Sequence, residues 1–210
     1  MKVKDRVKPK VPTVEPGVYV AVCIGVIDLG EQYSEKFKNY SSKVQFVWEL
    51  PYETVEVGGK QEPKQLSREF AIATKKNSNL RTFISSWNSK AYSDEEFPEI
   101  DLFDQIGKPC QLNVVLNDTG EYANVDTVMP LPKGFPPPQS GTKPIVWDMD
   151  HWDDGVFKAL PEWVQDKIKK STQYQKEHTP TDSIEVKAPA VPAAPAAPVT
   201  ATMGTGGAPF

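Results

Sequence analysis

Aromatic residues alternate with lysines in one short stretch of the chain, between positions 30 and 43. The aromatic members are Tyr33, Phe37 and Tyr40, and the lysines are Lys36, Lys38 and Lys43. Aromatic faces stack on nucleobases for about 1 to 3 kcal/mol each, while ammonium groups meet phosphates. This stretch is therefore the first candidate for a surface that binds a single nucleic-acid strand. The alternative is a hairpin extension whose aromatic rings pack on the rim of the fold.

A second group of basic residues lies around a predicted helix. It comprises Arg68, Lys75, Lys76 and Arg81 near the start of the helix, with Trp87 and Lys90 near its end. A helix N-terminus favours anions because its first backbone N–H groups have no partner within the helix. We expect this group to contribute to nucleic-acid binding, and a solvated charged turn is the alternative.

The N-terminal arm is also basic. Its charged residues recur at every second position, with one acidic interruption, and they are Lys2, Lys4, Asp5, Arg6, Lys8 and Lys10. A flexible arm of this kind can follow a phosphate backbone by releasing counterions. A short basic terminus is also an ordinary solubilising end, so both interpretations stay open.

The sequence lacks the motifs of the common enzyme classes. It contains no nucleophile elbow, no phosphate-cradling glycine loop and no paired metal ligands. Cys23 and Cys110 are far apart in sequence, and His151 and His178 fall in no ligand pattern. We therefore expect a protein that is not an enzyme and uses no cofactor or metal, with both cysteines buried as core thiols. If the first and fourth strands are neighbours, the two sulfurs lie close together.

Hydrophobic periodicity over residues 17–130 predicts the order strand, strand, strand, helix, strand, strand. In the second strand, Val44, Phe46 and Trp48 share one face, which we expect to be core. The third strand sends Arg68 to the same side as its apolar residues. The helical face recurs at i, i+3, i+4 and i+7, and consists of Leu80, Phe83, Ile84 and Trp87. This order predicts a mainly β protein, a five-stranded OB-fold-like barrel with one helix between strands 3 and 4.

Fifteen of the 20 prolines lie outside residues 17–130 and mark the segments that flank the predicted barrel. We expect a basic flexible arm at 1–16, the barrel at 17–130, and a proline-rich strap with a C-terminal helix at 131–172 that packs on the barrel. The helix is predicted at 157–171, with Trp163, Val164 and Ile168 as its docking side. From 173 to 210 the composition is rich in Ala, Pro and Gly, which is typical of a disordered tail.

Net charge and hydropathy limit the functional classes. A formal net charge of −4 argues against a non-specific polyanion binder. The acidic residues concentrate at 49–62 and 94–104, however, and binding depends on the local field rather than on the total charge. No apolar stretch approaches the roughly 20 residues that span a bilayer, and no signal peptide is evident. We expect a cytoplasmic protein.

Several short motifs together resemble a known family. They are FVWELP, LRTFISSWN followed by SDEEF, IGKPCQLNVV, YANV, PLPKG and ALPEWVQDKIKKS, spread over residues 17–172. The combination is similar to a family of small phage-encoded proteins described as single-stranded DNA-binding or replication-associated. The resemblance implies single-stranded DNA as the ligand and a role in phage DNA replication or recombination. Relatives tend to carry a basic residue after the helix tryptophan, where this chain has Asn88.

The tail ends on Pro209 and Phe210, a dipeptide that resembles the tip of bacterial single-stranded DNA-binding proteins. In those proteins partner enzymes capture the tip, so replication or recombination proteins are candidate partners here. The tips of that class are acidic, whereas residues 204–210 of this chain carry no charged side chain.

Two functional hypotheses follow from these patterns. The first is single-stranded DNA binding without strong sequence preference. The second is a non-enzymatic scaffolding module that recruits partners through its tail. An unrecognised nuclease or inhibitor is a third alternative, and a homo-oligomer is compatible with all of them.

Overall fold

The computed structural model describes residues 14–120 and 122–178. The N-terminal arm up to Thr13 and the tail from Thr179, including Pro209 and Phe210, lie outside the described residues. The strands are β1 (Gly17–Ser34), β2 (Asn39–Val57), β3 (Lys60–Ala71), β4 (Pro109–Leu116), β5 (Ala123–Met129) and β6 (Ile145–Trp147). The α-helices are α1 (Asn79–Trp87), α2 (Asp154–Ala159), α3 (Glu162–Lys169) and α4 (Thr172–His178), and short 3-10 helices form at Phe97–Glu99 and Leu102–Gln105.

The sheet has the strand order β3-β2-β1-β4-β5, and all four of these pairings are antiparallel. β6 lies outside this order and pairs in parallel with the middle of β1. The prediction of a mainly β protein is confirmed, as are the pairing of β1 with β4 and the helix α1 between β3 and β4.

The expectation of a closed barrel is wrong. β3 and β5 stand at opposite ends of the strand order, and in the part of the chain that the structure describes no backbone ladder joins them. Arg68 of β3 spans this open seam, since its guanidinium donates to the carbonyl oxygens of Val125, at 2.8 Å, and Asp126. A side chain thus satisfies β5 acceptors that backbone N–H groups of β3 would meet in a closed barrel.

The inner face of the sheet packs against α1. Val44, Phe46 and Trp48 are fully buried there, as the period of two predicts. Ser78 caps α1, since its Oγ accepts the Arg81 N–H at 3.2 Å. Phe46 and Trp48 lie within ring-contact distance of aromatic residues of α1, so burial of these faces holds the helix across the sheet.

The outer face of β1 and β2 is covered by the C-terminal segment. Ile27 and Leu29 of β1 form a second buried cluster with Trp147, Phe157, Leu160, Val164 and Ile168, together with Met149. At Gly30 (φ +68°) a Cβ would lie 2.7 Å from the Cβ of Ser171, so the β1 bulge fits closely against the end of this segment. These contacts pack the C-terminal segment on the outer face of the sheet.

The prediction of a single C-terminal helix at 157–171 is wrong in its bounds. Three short helices occupy 154–178, and the first ends before Pro161. Leu160 adopts φ −66° and ψ 149°, because a residue before proline avoids the helical region. The last helix, α4, occupies positions where the disordered tail was expected to begin. Val164 and Ile168 dock as expected, whereas Trp163 is 49% exposed.

The strap is anchored to β2 by Glu49, whose side chain is completely buried. Its carboxylate accepts the Gly141 N–H at 2.8 Å and the Ser140 hydroxyl at 3.0 Å. None of the helices over residues 14–178 is long and apolar enough to cross a membrane.

Candidate nucleic-acid interface

The stretch between positions 30 and 43 is a β-hairpin rather than a loop. β1 and β2 stay paired as far as Ser34 and Asn39, and Tyr33 lies opposite Tyr40. The turn closes with a hydrogen bond from the Lys38 N–H to the Ser34 carbonyl at 2.7 Å, and Lys38 takes φ 53°. We call residues 33–40 the hairpin tip. Its cross-strand pairs hold the side chains in a defined register, which a loop would not do.

The aromatic side chains of the hairpin tip face solvent. Tyr33 is 48% exposed, Phe37 70% and Tyr40 56%. The rings of Tyr33 and Tyr40 lie with centroids 5.0 Å apart, and Lys36 Nζ lies 5.4 Å from the centre of the Phe37 ring. The structure therefore differs from the alternative in which these rings pack on the rim of the fold. Grouped exposed aromatic residues on a soluble surface are typical of a binding site.

Lys43, Lys75 and Lys76 lie at the same end of the sheet as the hairpin tip. Lys43 pairs with Ala71, the last residue of β3, and the Ile72 N–H donates to the Ser42 carbonyl at 2.8 Å. Lys75 and Lys76 follow a few residues later on an exposed turn. The register of β2 against β3 thus gathers the two lysine groups on one side of the fold.

Arg81 does not belong to this surface, contrary to the expectation. Only 5% of the residue is exposed, and its guanidinium donates to the Thr74 and Tyr92 carbonyls at 3.1 and 2.6 Å. It also forms an ion pair with Asp94 at 2.5 Å. The donors of Arg81 are therefore used to connect the turn before α1 with the segment after it.

Trp87 and Lys90 are also unsuited to the roles expected of them. Trp87 is 3% exposed, packs in the inner core and donates its indole N–H to the Pro109 carbonyl at 3.3 Å. Lys90 is exposed, but its ammonium pairs with Glu96 at 3.1 Å. A buried indole cannot stack on a base, and a paired ammonium contributes less positive field.

Arg68 lies at the seam between β3 and β5 rather than on the lysine surface. Its guanidinium covers the rings of Phe70 and Phe83 at 4.8 and 5.5 Å. Burial lowers the pKa of Arg68, and the nearby charge of Asp126 acts in the opposite direction. These contacts explain why an arginine occurs on the apolar side of the third strand.

A cleft that no sequence pattern predicted opens along this seam. We call it the seam cleft; its volume is about 620 Å³, and it is lined by residues 67–69, 115–118 and 124–126 with Gln45 and Trp163. Its charged side chains are three carboxylates, those of Glu69, Asp118 and Asp126, and the guanidinium of Arg68. The lining residues come from five distant segments, so no local pattern in the sequence could indicate it.

The acidic, histidine and cysteine side chains of the described residues are dispersed, and the two cysteines are buried. Among the described residues no three His, Cys, Asp or Glu side chains are grouped as metal ligands. Cys23 and Cys110 are buried free thiols, as expected, and burial raises the pKa of Cys23 to about 12. The pKa of Cys110 is likewise raised by burial and by the neighbouring Cys23.

Comparison of the chain with protein-family models, with curated proteins and with solved structures finds no match in any of the three. Any function must therefore be inferred from the residues of this chain and their geometry.

Proposed function

We propose that the chain binds single-stranded DNA without strong sequence preference, and that it does so in phage DNA replication or recombination. The observation that carries the proposal is the exposure of Tyr33, Phe37 and Tyr40 on one hairpin with lysines beside them. The chain order, with α1 between β3 and β4, is also that of OB folds, which frequently bind single strands, although the sheet here is open.

Stacking on the hairpin tip needs no base-specific hydrogen bonds. Every nucleobase has a π-face, so exposed rings bind all sequences at about 1 to 3 kcal/mol per base. Lys36 and Lys38 lie within the same turn and supply positive charge next to the rings. This combination favours binding through stacking and phosphate contacts, which is sequence-tolerant and salt-dependent.

The distribution of charge supports the proposal despite the net charge of −4. The β2–β3 hairpin carries Glu53, Glu56 and Glu62 at the far end of β2 from the hairpin tip. The acidic stretch of residues 94–104 follows α1, and Arg81 and Lys90 pair with two of its members. The tip itself carries Lys36 and Lys38 against Glu35, so it has a small positive excess at a distance from the main acidic stretches.

The biological setting is proposed from the motifs that resemble phage-encoded proteins. FVWELP lies in β2 and LRTFISSW in α1, so two of these motifs form the inner core. Replication or recombination proteins are the proposed partners of the tail, with Pro209 and Phe210 as the residues they would capture. Both residues lie outside the described part of the chain.

The test is binding of labelled oligothymidine by fluorescence anisotropy. Tyr33→Ala, Phe37→Ala and Tyr40→Ala should each weaken binding by about 1 to 3 kcal/mol and leave the salt dependence largely unchanged, because every lysine that meets a phosphate is still in place. Tyr52→Ala is the matched control, since Tyr52 is 64% exposed on the acidic half of β2. The Tyr52→Ala variant should bind oligothymidine with the affinity of the parent.

Equal binding by the parent and all three aromatic variants would remove the hairpin tip as the site. If the parent fails to bind oligothymidine at low salt, the DNA-binding proposal is wrong and the scaffolding module takes its place.

A further inference from the structure

The charged side chains of the seam cleft are mainly acidic, whereas those of the hairpin tip are mainly basic. Glu69, Asp118 and Asp126 line it, and Glu69 is already paired with Lys167 of α3. Arg68 is engaged by backbone carbonyls of β5. Arg68 remains charged and lies close to Asp126, so Asp118 is the carboxylate that leaves the lining with a net negative charge. That excess disfavours phosphates and favours a cationic occupant.

The cleft also offers apolar surface and an unpaired acceptor. Val115 and Leu116 are each 38% exposed along one wall, and Trp163 is 49% exposed on the other. Gln45, only 1% exposed, donates to Ser67 Oγ at 3.0 Å, while its Oε1 has no hydrogen-bond partner among the described residues. The lining thus combines apolar side chains with the polar side chains of Gln45 and Ser67.

We propose that the basic N-terminal arm of this same chain, residues 1–13, binds in the seam cleft. If the arm is extended, side chains two apart share a face, and Lys2, Lys4, Arg6, Lys8 and Lys10 all fall on one side. The arm carries five basic side chains and one acidic side chain, which complements the carboxylates of the cleft.

The position at which the described chain begins makes this contact geometrically accessible. Gly17 pairs with Val114, the residue directly before the cleft wall at Val115, and Val14 is buried in the same cluster as Val114 and Val125. Thirteen residues span up to about 43 Å when extended, so the arm can run the length of the cleft. The proposal does not depend on the DNA-binding proposal; it assigns the arm to the protein instead of to phosphates.

Carbodiimide crosslinking of the full chain tests the contact directly. The reagent joins a lysine ammonium to a carboxylate that touches it, and mass spectrometry locates each link. We expect links from the arm lysines to Asp118 or Asp126, and we expect these links to disappear at 1 M salt, where the Debye length is about 3 Å. The β2–β3 hairpin, with Glu53, Glu56 and Glu62, is the internal control of similar acidity.

Links spread equally over the control hairpin and the cleft would overturn the proposal. Crosslinking a mixture of isotopically light and heavy protein separates contacts within one molecule from those between copies. Links found mainly between light and heavy chains would assign the cleft to the arm of a second copy, which also contradicts the proposal.

Trp163 supplies a second readout, because it is the most exposed of the tryptophans and lines the cleft. A full-length variant with all five basic arm residues changed to Gln should show stronger acrylamide quenching than the parent. In a Trp163→Phe background that difference should vanish. Equal quenching of parent and arm variant would refute the contact, and protection that appears only with oligothymidine would assign the cleft to nucleic acid instead.

Discussion

Arg81 and Asp94 form an ion pair of 2.5 Å in which the arginine is 5% exposed while the Asp94 side chain is 72% exposed. The pair joins α1 to the segment that follows it, and the same guanidinium holds the Thr74 and Tyr92 carbonyls. The geometry gives Arg81 a structural role.

Arg81→Ala should therefore lower the free energy of unfolding by about 1 to 3 kcal/mol, because two buried carbonyls lose a charged donor. Urea denaturation measures this effect, with Lys75→Ala as the exposed basic control that should leave stability unchanged. The salt slope of DNA binding by the folded Arg81→Ala variant should match that of the parent. A reduced slope with unchanged stability would show that Arg81 contacts phosphates after all.

The lysines of the interface should act through phosphates. Lys36→Gln, Lys38→Gln, Lys75→Gln and Lys76→Gln should each weaken oligothymidine binding for all sequences and reduce the slope of log affinity against log salt by about 0.7 for each phosphate interaction removed. Lys90→Gln is the control, since its ammonium is paired with Glu96. A salt slope that stays at the parent value in all four variants would contradict the proposal that the DNA strand lies against these lysines.

Glu49 should stabilise the fold by anchoring the strap. Burial acts to raise the pKa of Glu49, but hydrogen bonds from residues 140–142 outweigh it, and the net pKa is lowered from 4.5. Glu49→Gln should cost about 1 to 3 kcal/mol at neutral pH, as for hydrogen bonds to a buried charged group. Urea denaturation measures the cost, with exposed Glu56→Gln as the control.

The pH dependence of the Glu49 contribution has a definite sign. A carboxyl group with a lowered folded pKa contributes stability that is fully present above its unfolded pKa and is lost as pH falls through the folded pKa. The gap between parent and Glu49→Gln should therefore narrow as pH falls below 4.5. A gap that is constant with pH would mean that the carboxylate charge contributes nothing.

Cys23 and Cys110 should be unreactive while the protein is folded. Cys23 is 1% exposed with a pKa of about 12, and Cys110 is fully buried, so almost no accessible thiolate is present at pH 8. A thiol-reactive chromophore should report no reactive thiol in the native protein and two after denaturation. Rapid native reaction of either thiol would show that β1 and β4 separate readily.

Local pattern alone was enough to predict α1 and the core face of β2. The apolar residues of α1 recur with the period of a helix, and this signal is contained within a few residues. Val44, Phe46 and Trp48 are buried for the same kind of reason, because alternation along a strand assigns them to one face. The composition of the hairpin tip likewise indicated exposed aromatic residues and lysines together.

Only the tertiary structure decided which basic and aromatic residues face solvent. Arg81 and Trp87 look like binding residues in sequence. In the structure Arg81 pairs with Asp94 and Trp87 packs in the inner core, and these partners come from other segments. Arg68 bridges the seam to β5 carbonyls, and the seam cleft unites residues from positions as far apart as 45 and 163. Periodicity carries information over a few residues, whereas pairing across a sheet and burial depend on contacts between residues far apart in the chain.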